Sequence, residues 1–196
     1  KIRRQITAQS VKFHKPNFSK FLLVNFKINL LKGKTPIPVR YARSIKDFKL
    51  DDKGLELYSN NKPDERLIER KNLIGICPGA KHFTKRWPKE YFIELGNLFS
   101  EQGFITVLFG GKDDRELCKE ISKNINTSID LSNDDDLFQT AADMKLCKLI
   151  VCNDSGLMHT ACAVGTPVTA IFGSTVQEFG FAPYNNPNLI LENKSL

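Results

Sequence analysis

Small and polar residues follow four apolar segments of this chain, and their types suit the binding of a phosphorylated ligand. Glycine lets a backbone approach a ligand closely, and a helix that begins after Gly156 would offer free N–H groups and a positive dipole end to a phosphate. Lys85 and Arg86 add cations after the first segment. The four joints are Pro78-Gly79-Ala80, Gly110-Gly111, Asn153-Asp154-Ser155-Gly156 and Gly173-Ser174-Thr175.

The segments that would position these joints alternate between short apolar strands and helices. Apolar runs predict strands over residues 73–77, 105–109, around 129, 149–152 and 167–172. Helical spacing and capping residues predict helices over residues 88–103, 113–123, 137–147 and 157–164. Such alternation predicts a parallel sheet with helices on both faces and all strand carboxyl ends at one edge. We therefore predict an α/β fold with a ligand site at that edge.

Each feature alone also has a structural explanation. Asp154 or Ser155 could cap a helix, and His159 could be a packing residue. The acids Asp113-Asp114 and Asp134-Asp135-Asp136 fit helix starts better than a metal site. No G-x-x-x-x-G-K-[ST], G-x-G-x-x-G or G-x-S-x-G motif is present, which disfavours common kinases, dehydrogenases and hydrolases.

Composition narrows the class further. No apolar run reaches the length of about 18 residues that spans a membrane. The five cysteines are odd in number and lack C-x-x-C spacing, so we expect a reducing cytoplasm. The three histidines are scattered, and we expect no dedicated metal site. The polar stretch over residues 51–72 predicts a linker before the strand–helix repeat.

Positive charge is concentrated near the start of the chain. Residues 1–50 hold 13 Lys or Arg against one acid, whereas the remainder holds 16 against 21. This basic part is either a solvated face or a surface near phosphates, on nucleic acid or an anionic membrane. Its apolar residues Phe18, Phe21, Leu22 and Leu30 are spaced as a helix core, which disfavours nucleic-acid stacking.

Four motifs in the second part of the chain resemble glycosyltransferase family 9, the lipopolysaccharide heptosyltransferases and their relatives. The resemblance extends from about residue 72 to residue 196, with the motifs in the family's order and spacing. The motifs are C-P-G-A-K-H-F-T-K-R-W-P from Cys77, L-F-G-G-K-D-D from Leu108, N-D-S-G-L-M-H from Asn153 and A-I-F-G-S-T from Ala170.

The resemblance implies a GT-B architecture, in which two Rossmann-like domains face each other across a cleft. Residues 1–62 would be a remnant of the N-terminal acceptor domain with its linker, residues 63–183 the nucleotide-sugar domain, and residues 184–196 the start of a C-terminal crossover segment. The chain would then be a fragment truncated at both ends. The general base, an aspartate near the start of the first domain in such enzymes, would be missing.

The resemblance also implies a set of site residues. Lys85 would neutralise the donor diphosphate and stabilise the leaving group, and Asp113 would bind the ribose. Trp87 and Pro88 would fix the loop and start a helix rather than touch the ligand. The implied donor-binding residues are Pro78, Gly79, Ala80, Lys85, Gly111, Asp113, Asp154, Ser155, Gly156, Leu157 and His159.

The implied activity is an inverting, metal-independent transfer of heptose from ADP-heptose to a lipopolysaccharide core acceptor, without a further cofactor. The basic segment over residues 1–49 would lie towards that anionic acceptor, in the cytoplasm or at the inner face of the inner membrane. Two alternatives stay open. One is a non-catalytic nucleotide-sugar binding module, and the other is a nucleic-acid-binding protein that uses the basic part.

Overall fold

The computed structural model describes residues 15–31 and 35–192. Predictions that concern residues 1–14, among them the histidine at position 14, and residues 193–196 lie outside these ranges. The chain packs as two compact units. The first contains the described residues up to Asp52 together with Gln177–Ala182, and the second contains Lys53–Val176 and the residues from Pro183 onward. The assignment of residues 1–62 to an acceptor domain stays a prediction.

The second unit is built on six parallel strands in the order β3-β2-β1-β4-β5-β6, the Rossmann order. The predicted α/β class is therefore confirmed. The last strand was not predicted and lies in the segment assigned to a crossover. The strands are β1 Leu73–Cys77, β2 Ile105–Leu108, β3 Ser128–Asp130, β4 Leu149–Asn153, β5 Val168–Phe172 and β6 Asn188–Glu192.

Helices cover both faces of this sheet, as predicted. On one face α3 and α4 bury Phe92 and Ile121 against strand residues such as Leu108. On the other face α5 and α6 bury Met144 and Met158 in a second apolar cluster. The helices are α3 Lys89–Glu101, α4 Arg115–Lys123, α5 Leu137–Met144 and α6 Gly156–Ala163.

The first unit contains α1, Asn17–Phe26, and α2, Ile37–Ala42. The prediction that Phe18, Phe21, Leu22 and Leu30 form a helix core is wrong for three of the four, because Phe18, Phe21 and Leu30 are 70%, 54% and 51% exposed. Leu22 is half-buried, and Leu30 lies beyond the end of α1. Helical spacing shows which side chains share a face, but not whether another element covers that face. Among the described residues of this unit, two short helices offer too little surface to do so. No helix in the described ranges is both long and apolar enough to cross a membrane.

Candidate functional site

A cavity of about 670 Å³ opens at the carboxyl ends of the central strands of the second unit. β1 and β4 are neighbours in the sheet, but the chain continues from them to opposite sides, to β2 and to β5. Rossmann-type sheets bind ligands in the crevice that this reversal creates. The cavity is as large as typical small-molecule sites, and its walls come from the loops that follow β1, β2, β3 and β4.

The structure brings most of the predicted site residues together around this cavity. Pro78, Lys85, Asp154 and His159 lie outside its lining. The contact of each residue with a ligand stays a prediction. The predicted residues that line the cavity are Gly79, Ala80, Gly111, Asp113, Ser155, Gly156 and Leu157.

The start of α6, beside the cavity, carries an unsatisfied buried hydroxyl. Ser155 occupies the N-cap position but makes no side-chain capping hydrogen bond. Its Oγ is buried and has no hydrogen-bond partner among the described residues. Buried hydroxyls are normally satisfied, so the simple capping explanation fails for Ser155. Next to it, Gly156 leaves open space where a side chain would project, and the first N–H groups of a helix lack intrahelical acceptors.

Lys85, Asp154 and His159 form a charged cluster beside the end of β4. The Lys85 Nζ lies 2.6 Å from the Asp154 Oδ2. The Asp154 side chain is only 5% exposed, and that of Lys85 is 24% exposed. Burial lowers the pKa of His159 below its usual value; the Asp154 carboxylate opposes this shift and the Lys85 ammonium adds to it. Lys85 is thus already neutralised by a carboxylate of the same site.

A buried carboxamide ties the loop after β1 to the end of β4. Asn153 is fully buried; its Nδ2 donates to the Pro78 carbonyl oxygen at 2.8 Å, and its Oδ1 accepts from the Trp87 N–H at 3.0 Å. The Trp87 ring packs edge-on against Phe92, 4.9 Å between centroids, and Pro88 precedes the first residue of α3. The predicted helix start at Pro88 is confirmed, and the role of Trp87 in fixing the loop stays a prediction. This role of Asn153 was not predicted.

Asp114, which was not among the predicted site residues, also lines the cavity, as does the predicted Asp113. The Asp114 carboxylate lies close to Gly79, since a Cβ added to Gly79 would be 2.2 Å from the Asp114 Oδ2. Burial raises the pKa of Asp114, and the Arg86 guanidinium partly opposes the shift. Arg86 itself lines the cavity and donates from Nε to the Ala80 carbonyl oxygen at 2.8 Å.

A further acid, Asp135, lines the cavity from the loop after β3 and was likewise not predicted as a site residue. The Asp135 Oδ1 accepts from the backbone N–H of Lys112 at 3.1 Å. A Cβ added to Gly111 would be 2.2 Å from the same oxygen. The nearby Asp136 caps α5 by accepting from the Gln139 N–H at 3.0 Å, so the helix-start explanation is confirmed for that residue. Within the described ranges, no group of three or more His, Cys, Asp or Glu could hold a metal ion.

The sheet order and the position of the cavity define a Rossmann-like α/β protein. Residues 2–195 match the family described as Glycosyltransferase family 9 (heptosyltransferase). The chain belongs to this family, as its four motifs indicated.

Its curated relatives include the lipopolysaccharide heptosyltransferase 2 of Escherichia coli, 37% identical over 119 residues, which are 58% of this chain and 34% of the relative. The lipooligosaccharide heptosyltransferase 2 of Campylobacter jejuni is 33% identical over 144 residues, 69% of this chain and 44% of the relative. The chain therefore spans about a third of the length of the E. coli relative.

Two solved structures share this fold. The E. coli ADP-heptose lps heptosyltransferase II is 33% identical with a TM-score of 0.56, over 68% of this chain and 39% of that one. A family 9 glycosyl transferase from Veillonella parvula is 26% identical with a TM-score of 0.67, over 88% of this chain and 54% of that one. These neighbours confirm the GT-B fold class that the motifs implied.

Proposed function

We propose that this chain supplies the donor site of a glycosyltransferase that moves heptose from ADP-heptose to a lipopolysaccharide core. The buried Ser155 hydroxyl, which has no hydrogen-bond partner among the described residues and belongs to a residue that lines the cavity, is the observation that carries this proposal. It stands where α6 begins, and helix starts bind phosphates. The names of the E. coli relatives supply the donor, ADP-heptose, and the lipopolysaccharide acceptor.

The cavity offers complementary groups to the parts of a nucleotide sugar. The diphosphate would lie against the first N–H groups of α6, from Gly156 and Leu157, and near the cations Lys81 and Arg86. The carboxylate of Asp113 would accept hydrogen bonds from the ribose hydroxyls. Lys85 would turn from Asp154 to the diphosphate when the donor enters, so that one cation serves two anionic partners in succession.

The chemical step would be an inverting displacement. An acceptor hydroxyl attacks the anomeric carbon, its proton passes to a general base, and ADP leaves with the bonding electron pair. Preorganised hydrogen-bond donors and cations lower the barrier of such a displacement, because they stabilise the charge that develops on the leaving group. Lys85 and the N–H groups of α6 would do this without a metal ion. The resemblance implies that this base is an aspartate near the start of the first domain.

A transfer assay tests the proposal. The protein encoded by the complete reading frame is incubated with ADP-heptose and a lipopolysaccharide core acceptor, with and without EDTA, and the product is identified by its mass and anomeric configuration. We expect turnover that EDTA does not change, and a loss of about 10²–10³-fold in Lys85→Met. Lys89→Met removes a lysine from the surface of α3 and should have no effect. Turnover with other nucleotide sugars but not ADP-heptose would contradict the proposal.

A non-catalytic nucleotide-sugar binding module is the second candidate. It is favoured by the fact that the whole cavity is built from residues of the second unit, so that binding needs no other part of the chain. Saturable ADP-heptose binding without transfer would select this candidate. For either function we propose a cytoplasmic setting, since all five cysteines are free and buried.

A further inference from the structure

The first unit has a cavity of its own, about 220 Å³ in volume, whose polar wall is basic. Two arginines and two hydroxyl side chains line it, and no acid is among the lining residues. The remaining wall is apolar. The polar residues are Ser19, Thr35, Arg40 and Arg43, and the apolar ones are Pro16, Leu30 and Leu31.

The guanidinium of Arg40 is held in place by a segment that is distant in sequence. Its Nη2 donates to the Glu178 carbonyl oxygen at 3.2 Å, and the N–H of Ile37, in the same helix, donates to the Gly180 carbonyl oxygen at 3.0 Å. Gly180 has a φ of 84°, and a Cβ there would lie 2.9 Å from Nη2. The Nη2 side of the guanidinium is therefore anchored before any ligand arrives.

The other terminal nitrogen of Arg40 lacks an acceptor. Nη1 is buried and has no hydrogen-bond partner among the described residues. A buried donor on a charged group is costly to leave unpaired. The same residue lines the cavity, so an anion that binds there and draws the guanidinium towards itself would give Nη1 an acceptor.

Further cations lie near Arg40. Burial lowers the pKa of Lys20, and the charges of Arg40 and Lys15 lower it further. The Lys20 ammonium lies 4.9 Å from the centroid of the Phe179 ring, a contact that holds it in place. No ion pair between described residues includes Lys15, Lys20, Arg40 or Arg43. The mutual repulsion of these cations would be relieved by a bound anion.

We propose that this cavity binds a phosphate group, either free or as the monoester of a saccharide. A guanidinium matches phosphate oxygens with paired N–H donors, and the hydroxyls of Ser19 and Thr35 can donate to the others. The apolar wall at Leu30 and Leu31 leaves room for an organic substituent beside the phosphate. The site is separate from the donor cavity, since all of its lining residues belong to the first unit.

The test is a titration of the isotopically labelled protein with inorganic phosphate and with glucose 1-phosphate, followed by NMR. The side-chain Nε–H signal of Arg40 and the backbone amide of Ser19 report on this cavity, while the amide of Gly156 reports on the donor cavity. We expect saturable shifts at Arg40 and Ser19. Equal affinity for both probes identifies a free phosphate site, and tighter binding of glucose 1-phosphate identifies a phosphorylated saccharide.

Matched variants separate a site from general charge attraction. Arg40→Gln should weaken phosphate binding by about tenfold or more, because a charged hydrogen bond is lost. Lys46→Gln removes one exposed cation from the same unit and should change the affinity less than about twofold, as exposed charges are screened. If the amide signals of α2 in Arg40→Gln show that the helix has unfolded, the Ser19→Ala variant is measured in its place. Ser19→Ala should weaken phosphate binding severalfold. Non-saturating shifts, or equal losses in Arg40→Gln and Lys46→Gln, would overturn the proposal.

Discussion

Replacing Lys85 by methionine should destabilise the second unit, because Asp154 would keep a buried negative charge without its partner. The two side chains meet at 2.6 Å, with Asp154 only 5% exposed. Removing one partner of a fully buried ion pair costs about 3–5 kcal/mol. Because Lys85 keeps 24% of its exposure, solvent screens part of the interaction. We therefore expect a loss of about 2 kcal/mol for Lys85→Met.

A double-mutant cycle with Asp154→Asn isolates the interaction of the two side chains. The double variant should be more stable than the sum of the two single effects predicts, with a coupling energy of about 1–2 kcal/mol. Lys89 and Glu120 form a matched control pair on the surface, with side chains 38% and 51% exposed. The cycle of Lys89→Met with Glu120→Gln should show no coupling beyond experimental error.

Urea unfolding measures both cycles, and Trp87 provides the fluorescence signal. It is the one tryptophan of the chain and belongs to the second unit, so its fluorescence follows the unit that contains both pairs. Free energies of unfolding come from linear extrapolation to zero urea. A coupling energy for Lys85 and Asp154 no larger than that of the surface pair would refute the reasoning. Asp154 would then be stabilised by other groups.

Three further predictions concern the same unit. Asn153→Ala should cost about 2–4 kcal/mol of unfolding free energy in urea, because two hydrogen bonds are lost and their buried partners stay unsatisfied; a cost below about 1 kcal/mol would contradict this. Gly75→Ala should cost about 1–3 kcal/mol by overpacking, since its Cβ would lie 2.3 Å from the Ile150 Cδ1, and an unchanged urea midpoint would contradict it. Burial lowers the pKa of His159 in the folded protein, so the unfolded chain takes up a proton at this histidine more readily. The contribution of His159 to the free energy of unfolding is therefore complete above the usual histidine pKa of about 6.5, and it declines as the pH falls below that value. Unfolding free energies at pH 7.5 and 5.5 should therefore differ less in His159→Gln than in the unmodified protein, and an equal decline would exclude this role.

The strand–helix alternation of the second unit was predictable because its apolar runs are short and bounded by glycine or proline. β1 has the predicted bounds, Leu73–Cys77. The sixth strand, Asn188–Glu192, was missed although it holds three consecutive apolar residues, because it is only five residues long and lies in the segment that the resemblance assigned to a crossover. The predicted helix over residues 137–147 ends at Met144, since periodicity locates a helix better than its last turn.

The position of the site followed from the rule that parallel strands gather their carboxyl ends at one edge. The individual roles of its acids did not follow from it. Asp114 and Asp135 reach the cavity because Gly79 and Gly111 allow their carboxylates to come close, and such contacts between loops depend on the packed structure. Likewise, the pairing of Lys85 with Asp154 joins residues that are 69 positions apart, a distance at which spacing carries no information.

Calorimetric titration with ADP, beside GDP and UDP, tests the central claim that the cavity at the ends of β1 and β4 binds the donor nucleotide. We predict saturable binding that favours ADP and that falls by at least about tenfold in Gly156→Leu, in which a side chain enters the open space at the start of α6. No saturable heat from the folded protein, or equal binding of ADP by Gly156→Leu, would contradict the account.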